Sequence, residues 1–367
     1  MAVNSASSAA AGALKLTVYF GERDRAGPAF LADALSEIYA RHELQTSLVM
    51  RGVEGFGIKH HLHTDRQLTL SEDLPLVSVA VDTASRIQAA VSDVERLRFD
   101  GLVTLERAQL LVGRGDRAAP VVDTAATTKL TVYVGRHERS GGKPAYEAIV
   151  DLLHRRGIAG ATVLLGVDGT AHGVRRRAKF IGANAQVPLM VIAVGDGERI
   201  AGVLPEVAAL LVQPLITLER ARICKRDGVR LADPDPLPLT DAAGLGVWQK
   251  LMVYAGEQAH HDGHPLHGQL VRTLRRAGAA GATSLRGVWG YSGDHEPHGD
   301  SFWQLRRRVP ITTVIVDTPE RIRRWFELVD ELTDETGLVT SEMVPAFRAT
   351  GPGLRRGGLR PARLGSG

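Results

Sequence analysis

The sequence predicts an α+β protein built from three tandem copies of one small domain. Each copy opens with the same strand-like motif, seen as Lys15-Leu-Thr-Val-Tyr19, Lys129-Leu-Thr-Val-Tyr133 and Lys250-Leu-Met-Val-Tyr254. Each copy closes with a second motif, seen as Leu102-Val-Thr-Leu-Glu106, Leu215-Ile-Thr-Leu-Glu219 and Leu338-Val-Thr-Ser-Glu342. The copies begin 114 and 121 residues apart. This spacing exceeds the roughly 20 to 50 residues of solenoid repeats, so each copy is long enough to bury its own core.

Six elements are predicted in repeat 1. Alternating residues predict a first strand from Leu14 to Phe20, ended by Gly21. A helix follows Pro28, and its apolar stripe at helical spacing consists of Leu31, Ala34, Leu35, Ile38 and Tyr39. The next elements are strands over Ser47 to Val53 and Leu76 to Val81, a helix with Ile87, Val91, Val94 and Leu97 on one face, and a strand after Gly101. Repeats 2 and 3 keep this β-α-β-β-α-β order.

This order predicts a ferredoxin-like domain, in which an antiparallel sheet carries both helices on one face. The other face also carries apolar residues, because segments such as Leu48-Val-Met50 and Val163-Leu-Leu165 are apolar at successive positions. Such a face must be buried against something. Three domains can bury these faces by packing sheet against sheet, so we predict a closed intrachain pseudo-trimer. Three independently folded domains are the alternative.

The predicted organisation is an arm over residues 1–13, repeat 1 over 14–112, a linker over 113–127, repeat 2 over 128–224, a linker over 225–247, repeat 3 over 248–348 and a basic tail over 349–367. We expect the arm and the tail to be disordered, because they are short terminal segments without an apolar pattern. The linkers are long enough to cross a neighbouring domain. The chain is therefore expected to be a monomer that acts as an intrachain trimer.

Composition excludes several classes of protein. The formal net charge of +4 is small, and no basic stripe with interleaved aromatic residues is found inside a repeat, so nucleic-acid binding is not predicted. No apolar run approaches the roughly 18 residues of a membrane span, so membrane insertion is not predicted either. The single cysteine, Cys224, excludes an internal disulfide and is expected to be a buried structural thiol. We expect a cytoplasmic location.

Several motifs of repeat 1 resemble one known family when they are taken together. They are the opening Lys-Leu-x-Val-Tyr, Arg51-Gly52-Val53-x-Gly55-Phe56-Gly57, a proline-led apolar strand that ends in Asp82, and the closing Val-Thr-Leu-Glu. This combination resembles the bacterial domain of unknown function 190 family, which is similar in fold to the PII signal-transduction proteins. The resemblance covers nearly the whole of each repeat.

The resemblance implies a non-enzymatic sensor. PII-like proteins are trimers of one ferredoxin-like domain, so this chain resembles a covalent version of such a trimer. In that superfamily a small effector, often an adenine nucleotide, binds between neighbouring subunits, and a long loop between the second and third strands contacts a partner protein. The matching loops here run from Glu54 to Leu74, Asp168 to Val187 and Trp289 to Val309. Members of the family tend to be encoded near fluoride-channel genes, so the resemblance implies a membrane transporter as one candidate partner.

One departure from the PII pattern concerns phosphate binding. PII proteins carry a glycine-rich phosphate-binding segment near the start of the fourth strand. This chain has Phe99-Asp100-Gly101-Leu102 and Thr336-Gly337-Leu338 there, and a single glycine predicts only a turn. The departure argues against nucleotide binding, and no cofactor is predicted.

The candidate ligand-binding residues lie mainly at the base of the long loops. Glycine allows close approach of the backbone to a ligand, and arginine can grip an anion with two hydrogen bonds. The candidates are Arg51, Gly52, Gly55, Gly57, Gly166, Gly169, Arg286, Gly287 and Gly290, together with Arg23 and Arg25 after the first strand. The alternatives are that the glycines only turn the chain out of the strand and that Arg23 and Arg25 are solvated loop charges. Because repeat 2 has Leu165 where the others have arginine, we predict up to three clefts of unequal competence.

A divalent-metal-binding protein of trimeric ferredoxin-like type is the alternative function. Histidines cluster in two segments, as His60, His61 and His63 and as His260, His261, His264 and His267, and His295 and His298 lie beside acidic residues. Their spacing does not recur among the repeats, so no metal site is assigned. Glu106, Glu219 and Glu342 are interpreted as salt-bridge or interface residues. No catalytic motif is found, and an enzyme with an unrecognised cleft site is the weakest alternative.

Overall fold

The structure is a computed structural model, and it describes residues 12–57, 63–64, 73–113, 122, 126–171, 174–177, 188–292, 297–299, 309–333 and 337–364. Repeat 1 contains β1 Gly12–Gly21, β2 Arg25–Ala26, β3 Ala29–Phe30, α1 Leu31–Arg41, β4 Thr46–Phe56, β5 His63–Thr64, β6 Pro75–Thr83, α2 Ala84–Arg96 and β7 Gly101–Val112. Repeat 2 contains β8 Thr127–Gly135, β9 Arg139–Ser140, β10 Lys143–Pro144, α3 Ala145–Arg155, β11 Gly160–Ala171, β12 Val174–Arg177, β13 Pro188–Asp196, α4 Gly197–Ala209, β14 Leu215–Arg220, β15 Arg222–Arg226 and β16 Val229–Arg230. Repeat 3 contains β17 Trp248–Gly256, β18 His260–His261, β19 His264–Pro265, α5 Leu266–Ala277, β20 Ala282–Ser292, β21 His298–Gly299, β22 Pro310–Asp317, α6 Pro319–Leu332, β23 Leu338–Val344, β24 Ala346–Gly351 and β25 Leu354–Gly358.

The main elements follow the predicted order, with α-helices and β-strands mixed in every repeat. Within each repeat four strands pair antiparallel, in the orders β4-β6-β1-β7, β11-β13-β8-β14 and β20-β22-β17-β23. The helices are amphipathic, and in α1 the buried residues include Leu31, Leu35, Ile38 and Tyr39, as the helical spacing predicted. Short hairpins precede α1, α3 and α5.

The second strand of each repeat is longer than predicted and pairs with the second strands of both other repeats. Its last part joins the first part of a neighbour in three pairings: β4 with β20, β20 with β11, and β11 with β4. Each of these pairings contains a register shift of the bulge type. The predicted end at Val53 and the predicted loop start at Glu54 were therefore wrong, because β4 continues to Phe56 by pairing outside its own repeat.

The last strands connect the repeats at a second set of pairings. The end of β7 pairs with β14, β15 pairs with β23, and β24 pairs with the start of β7. A strand at the end of each repeat thus pairs with a strand of the next repeat, and the last strand pairing joins repeat 3 to repeat 1. The predicted disorder of the 349–367 tail is corrected, because the β24–β25 hairpin extends to Gly358. In the predicted 225–247 linker, the β15–β16 hairpin extends only to Arg230.

The hydrophobic residues form two kinds of core. One cluster lies between the helices and the sheet in each repeat. A fourth cluster combines residues from all three repeats, including Val79, Ile192 and Val314, on the sheet faces opposite the helices. The apolar second face that the sequence predicted is therefore buried against the other repeats.

Candidate functional site

A cleft of about 330 Å³ lies at the junction of repeats 1 and 3. We call it the repeat 1–3 cleft. The residues that line it include Tyr19, Phe20 and Phe56 of repeat 1 and residues 280–282 at the start of β20. This segment, Ala280-Gly281-Ala282, carries only small side chains, and a Cβ at Gly281 would lie 3.2 Å from the backbone oxygen of Phe56.

The polar groups in this cleft are acidic. Asp24, Asp73 and Asp100 line it, and each is only partly exposed. Backbone hydrogen bonds orient two of the carboxylates, because Asp24 accepts from the Gly21 N–H at 2.7 Å and Asp73 accepts from the Arg23 N–H at 2.7 Å. No Lys, Arg or His is among the residues that line the cleft in the described part of the chain.

The equivalent cleft between repeats 2 and 3 is smaller, at about 40 Å³. We call it the repeat 2–3 cleft. The start of β11 takes the place of β20, and Tyr254 takes the place of Tyr19. Arg226, Asp227 and Gln258 line it, and the Asp227 N–H donates to the Gly337 oxygen at 2.8 Å. The β15–β16 hairpin and Gln258 thus occupy part of the space that stays open in the larger cleft.

The junction of repeats 1 and 2 carries bulkier residues at the matching positions. Pro214 stands where the other repeats have Gly101 and Gly337, and Gln45-Thr46-Ser47 stands where β20 begins with small residues. Thr46 and Ser47 are buried. The three junctions therefore carry different residues, and the unequal competence of the clefts stays a prediction.

The predicted arginines pair with glutamates instead of lining either cleft. Arg51 Nη2 lies 2.5 Å from Glu22 Oε1, and Arg286 Nη2 lies 2.9 Å from Glu257 Oε1. Both glutamates follow the glycine that ends the first strand. Repeat 2 replaces both partners, with Leu165 for the arginine and Arg136 for the glutamate. Comparing the repeats position by position reveals this pair, a signal that reading each motif alone missed.

The other predicted arginines lie on the loop after β1. The Arg25 guanidinium lies 4.7 Å from the centre of the Phe30 ring and so stabilises the β2–β3 hairpin. Arg23 contributes its backbone N–H to Asp73, as described above, and neither side chain lines the repeat 1–3 cleft.

The predicted glycines have a structural role that differs from both earlier interpretations. Gly52, Gly55, Gly166, Gly169, Gly287 and Gly290 all lie inside second strands, so the alternative that they turn the chain out of the strand is wrong. A Cβ would lie 2.7 Å from Pro75 Cγ at Gly52 and 2.8 Å from Pro310 Cγ at Gly287. These glycines let the strand pass the proline that begins the third strand. Gly57 follows β4 and lines the repeat 1–3 cleft.

Six buried charges form a closed ring where the three repeats meet: Lys15, Lys129, Lys250, Glu106, Glu219 and Glu342. Each lysine contacts two glutamates, and each glutamate contacts two lysines. Glu106 Oε2, for example, lies 3.0 Å from Lys15 Nζ and 2.5 Å from Lys250 Nζ. The interpretation of the three glutamates as salt-bridge residues is confirmed.

Contacts within the ring shift the pKa values of several of its members. Burial disfavours the charged form of every group, but neighbouring glutamates outweigh it at Lys15 and Lys250, whose pKa values are raised. The lysines likewise outweigh burial at Glu106, whose pKa lies well below its usual range, and lower the pKa of Glu219 to about 2. At Lys129 burial prevails and lowers the pKa.

The metal alternative gains no support from the described residues. The carboxylates of Glu106, Glu219 and Glu342 lie within 4.8 Å of one another, but lysine ammonium groups already contact all three. His260 and His261 lie in the β18–β19 hairpin, and His267 is buried on α5. His60, His61 and His295 lie outside the described residues.

Two further sequence expectations can be compared with the structure. Cys224 lies in β15 and is fully buried, as predicted, and burial raises the pKa of its thiol to about 12. Among the residues that the structure describes, no helix is long and apolar enough to cross a membrane.

Comparisons with known proteins identify the repeats. The model of the domain of unknown function 190 family, described as an uncharacterised ACR, matches residues 13–110, 127–223 and 248–346. A UPF0166 protein of Aquifex aeolicus (strain VF5) is 30% identical over 94 residues, which cover 26% of this chain and 88% of that protein. Aspartate kinase from Synechocystis matches with 12% identity and a TM-score of 0.25, over 96% of this chain and 48% of the kinase chain. A score this low carries no argument about fold or function.

Proposed function

We propose that this chain, which belongs to the domain of unknown function 190 family in all three of its repeats, is a PII-like sensor. In this proposal the chain is a pseudo-trimer of ferredoxin-like domains and binds a small effector between them. The strand order in each repeat supports this arrangement, as do the cyclic pairings between repeats. The effector site is the repeat 1–3 cleft. A monomer in the cytoplasm is part of the same proposal, and a single buried cysteine fits a reducing compartment.

One observation carries the proposal: both residues that flank segment 58–72 line the repeat 1–3 cleft. Gly57 precedes this segment and Asp73 follows it. A ligand that contacts both ends changes the free energy of the conformations of the segment, and the segment can then bind a partner with altered affinity. A membrane transporter is one candidate partner.

The same proposal assigns no catalysis to the chain. The described residues that line the two clefts include no Ser, Cys or His, and the proposal assigns the repeat 1–3 cleft to binding alone.

The proposal is tested by calorimetric screening of the full chain against nucleotides, cyclic dinucleotides, carboxylates, amines and bicarbonate. Ala280→Phe fills the repeat 1–3 cleft, and Ala159→Phe is the matched control, since Ala159 holds the same position in the repeat 2–3 cleft. Both side chains are partly exposed, so both variants should fold. We expect at least one compound to bind the wild type and Ala159→Phe but not Ala280→Phe.

Proteolysis reports on the proposed switch. Trypsin is specific for bonds that follow lysine or arginine, and Lys59 and Arg66 lie between the two cleft residues in the sequence. Bound ligand should change the cleavage rate at these bonds in the wild type and leave it unchanged in Ala280→Phe. If no compound in the screen binds in an Ala280-dependent manner, the proposal is wrong.

A further inference from the structure

We infer that the chain has a second binding site, separate from the repeat 1–3 cleft, for a small molecule that carries a polyphosphate group. The site is an open cavity of about 930 Å³, where β1, β7 and β14 lie beside segments 241–245 and 360–363. We call it the arginine pocket, after four of the residues that line it: Arg107, Arg220, Arg360 and Arg363. Its volume lies within the roughly 300 to 1,000 Å³ of small-molecule sites.

The arginine pocket and the repeat 1–3 cleft lie at opposite ends of the same strands. In β1, residues 12–14 line the pocket, whereas residues 19–21 line the cleft. In β7, residues 107–109 line the pocket, whereas residues 101–102 line the cleft. No residue lines both cavities in the described part of the chain. The inference therefore goes beyond the proposed function and does not depend on it.

The part of the tail that lines the pocket is anchored to the rest of the protein. Leu359 and Ala362 are buried, and Leu359 packs in the core between the helices and the sheet of repeat 1. The Ala362 oxygen accepts a hydrogen bond from Arg107 Nη2 at 2.5 Å. Arg360 and Arg363 each follow one of these anchors and are exposed. The anchors thus fix the backbone of both arginines at the pocket while their side chains stay accessible.

Asp241 is the single acidic residue among the described residues that line the pocket. Its carboxylate accepts hydrogen bonds from three backbone N–H groups, those of Arg363 at 2.7 Å, Leu245 at 2.8 Å and Ala243 at 2.9 Å. These bonds, with that of Arg363 first among them, lower the pKa of Asp241, so the carboxylate is charged at neutral pH. The negative charge of the pocket is therefore one carboxylate that holds the two segments together.

Positive charge exceeds this negative charge. Arg107, Arg360 and Arg363 outnumber the one carboxylate of Asp241. The hydrogen bond of Arg107 to a backbone oxygen leaves its formal charge uncompensated. The excess holds without Arg220, which has an interaction elsewhere within the molecule. The pocket therefore favours an anion even when only three of its arginines are considered.

The beginning of α2 adds to the same potential. Ala84, the first residue of α2, and Gln88 both line the pocket. No side chain caps this end of the helix, and its first turn contains no acidic residue. The N–H groups of a first helical turn have no acceptor within the helix and form the positive end of the helix dipole. Helix and arginines thus favour a ligand of the same charge.

Comparison of the repeats shows that the fold does not require an arginine here. The residue after the glutamate of the charge ring is Arg107 in repeat 1, Arg220 in repeat 2 and Met343 in repeat 3. Both arginines line the pocket, and Met343 does not. A basic residue is therefore present in the two copies that contribute this strand to the pocket and is replaced by an apolar one in the third.

Several arginines around one cavity suit a ligand with several negative charges. A guanidinium group pairs with a phosphate through two parallel hydrogen bonds. A monocarboxylate offers the two oxygens that one such pair uses. A polyphosphate group places two or more charged phosphates within a short distance, so arginines from segment 360–363 and from β7 can bind it together. This match in charge density is the reason for assigning a polyphosphate.

The test measures binding of inorganic pyrophosphate to the full chain by calorimetry, at a constant ionic strength of about 0.15 M. We expect measurable binding by the wild type. In the double variant Arg360→Gln/Arg363→Gln, affinity should fall about tenfold for each arginine replaced. Both side chains are exposed and the backbone hydrogen bond of residue 363 is retained, so this variant should fold, as an unchanged melting temperature would confirm.

The matched control is the double variant Arg355→Gln/Arg356→Gln. It removes the same charge from exposed positions in β25, a strand of the same tail, and neither residue lines the pocket. This control should bind pyrophosphate as the wild type does. Ala280→Phe, which fills the repeat 1–3 cleft, should also retain pyrophosphate binding, because the two cavities share no lining residue.

Four outcomes would overturn the inference. Equal losses in the two double variants would show that the basic tail attracts anions without a pocket. Loss of pyrophosphate binding in Ala280→Phe would place the probe in the repeat 1–3 cleft. Citrate that binds as tightly as pyrophosphate, with the same dependence on Arg360 and Arg363, would contradict the assignment of a polyphosphate. Absence of pyrophosphate binding by the wild type would exclude the site and leave the sensor proposal standing.

Discussion

Glu106 of repeat 1 and Lys250 of repeat 3 form a buried ion pair, with 2.5 Å between Oε2 and Nζ, although 144 positions separate them in the chain. Each of the two residues also contacts a second partner in the ring of six charges. The charges are buried on all sides, so their desolvation cost is compensated only while the ring is complete. Breaking the ring at one point should therefore affect all three repeats.

Replacing one ring carboxylate should destabilise the whole chain. Glu219→Gln keeps the shape of the side chain but leaves Lys15 and Lys129 with one fewer carboxylate between them. We expect the free energy of unfolding to fall by about 3 to 5 kcal/mol, measured by urea denaturation. Glu206→Gln is the control, because its pair with Arg156 is exposed and should contribute about 0 to 1 kcal/mol. Equal losses in the two variants would contradict a special role for the ring.

The ring should also make stability depend on acid pH. The pKa of Glu219 is lowered to about 2 and that of Glu106 is lowered further, so both bind protons more weakly in the folded chain than in the unfolded chain. Their contribution is present above the unfolded pKa of about 4.3 and is lost as the pH falls toward the folded values. Melting temperatures followed by circular dichroism should fall between about pH 4.3 and pH 2, and less steeply in Glu219→Gln. Parallel curves for the two proteins would count against this assignment.

A glycine in a second strand should not tolerate a side chain. In Gly169→Ala the new Cβ would meet the backbone oxygen of Ser47 and lie 2.8 Å from Pro188 Cγ. A backbone atom cannot rotate away, so we expect a loss of about 1 to 3 kcal/mol in urea denaturation. Gly135→Ala is the matched control in the same repeat, since its Cβ would meet nothing within 4 Å. If Gly169→Ala left the free energy of unfolding unchanged, the paired strands would have to separate easily.

The hairpin that joins repeat 3 to repeat 1 should depend on one aromatic pair. Phe347 in β24 stacks on Trp248, with 4.0 Å between ring centres. Phe347→Ala should cost about 3 to 5 kcal/mol, because it removes a large buried side chain and weakens the anchoring of β24. Phe30→Ala, at a 46% exposed position, is the control and should have a small effect. Urea denaturation measures both variants, and comparable losses would be evidence against this anchor.

The cysteine should be inert in the folded chain. Cys224 is fully buried, and burial raises the pKa of its thiol to about 12, so very little thiolate forms at neutral pH. We expect no reaction with a disulfide reagent such as 5,5′-dithiobis(2-nitrobenzoate) under native conditions and one equivalent after unfolding in urea. Rapid native reaction would mean that β15 separates readily from β23.

Local patterns predicted the elements inside each repeat, because periodicity records which face of an element is buried. The stripe of α1 and the apolar run of β6 are examples, since Leu35 and Val79 are buried as their spacing required. Pairings between repeats could not be predicted in this way. Gly52 and Gly55 are typical of a turn, and only contact with Ser284 and Ala282 of repeat 3 explains why the strand continues.

The candidate site was predicted less well than the fold. The arginines attracted attention because they can bind anions, yet Arg51 pairs with Glu22 within its own repeat. The aspartates of the larger cleft come from three separate segments of the chain, so no local motif contains them. Position-by-position comparison of the repeats could have singled them out, because acidic residues at Asp73 and Asp100 are not repeated in the other copies.

The pairing of β24 with β7 closes the set of contacts between repeats inside one covalent chain. Separate subunits must meet by diffusion, and their association weakens as the protein is diluted. Tethered domains instead experience a fixed effective concentration, set by the length of the segments between them. Assembly of these three repeats should therefore be independent of how much protein a cell makes, and a low expression level would leave every junction, including the acidic cleft, fully formed.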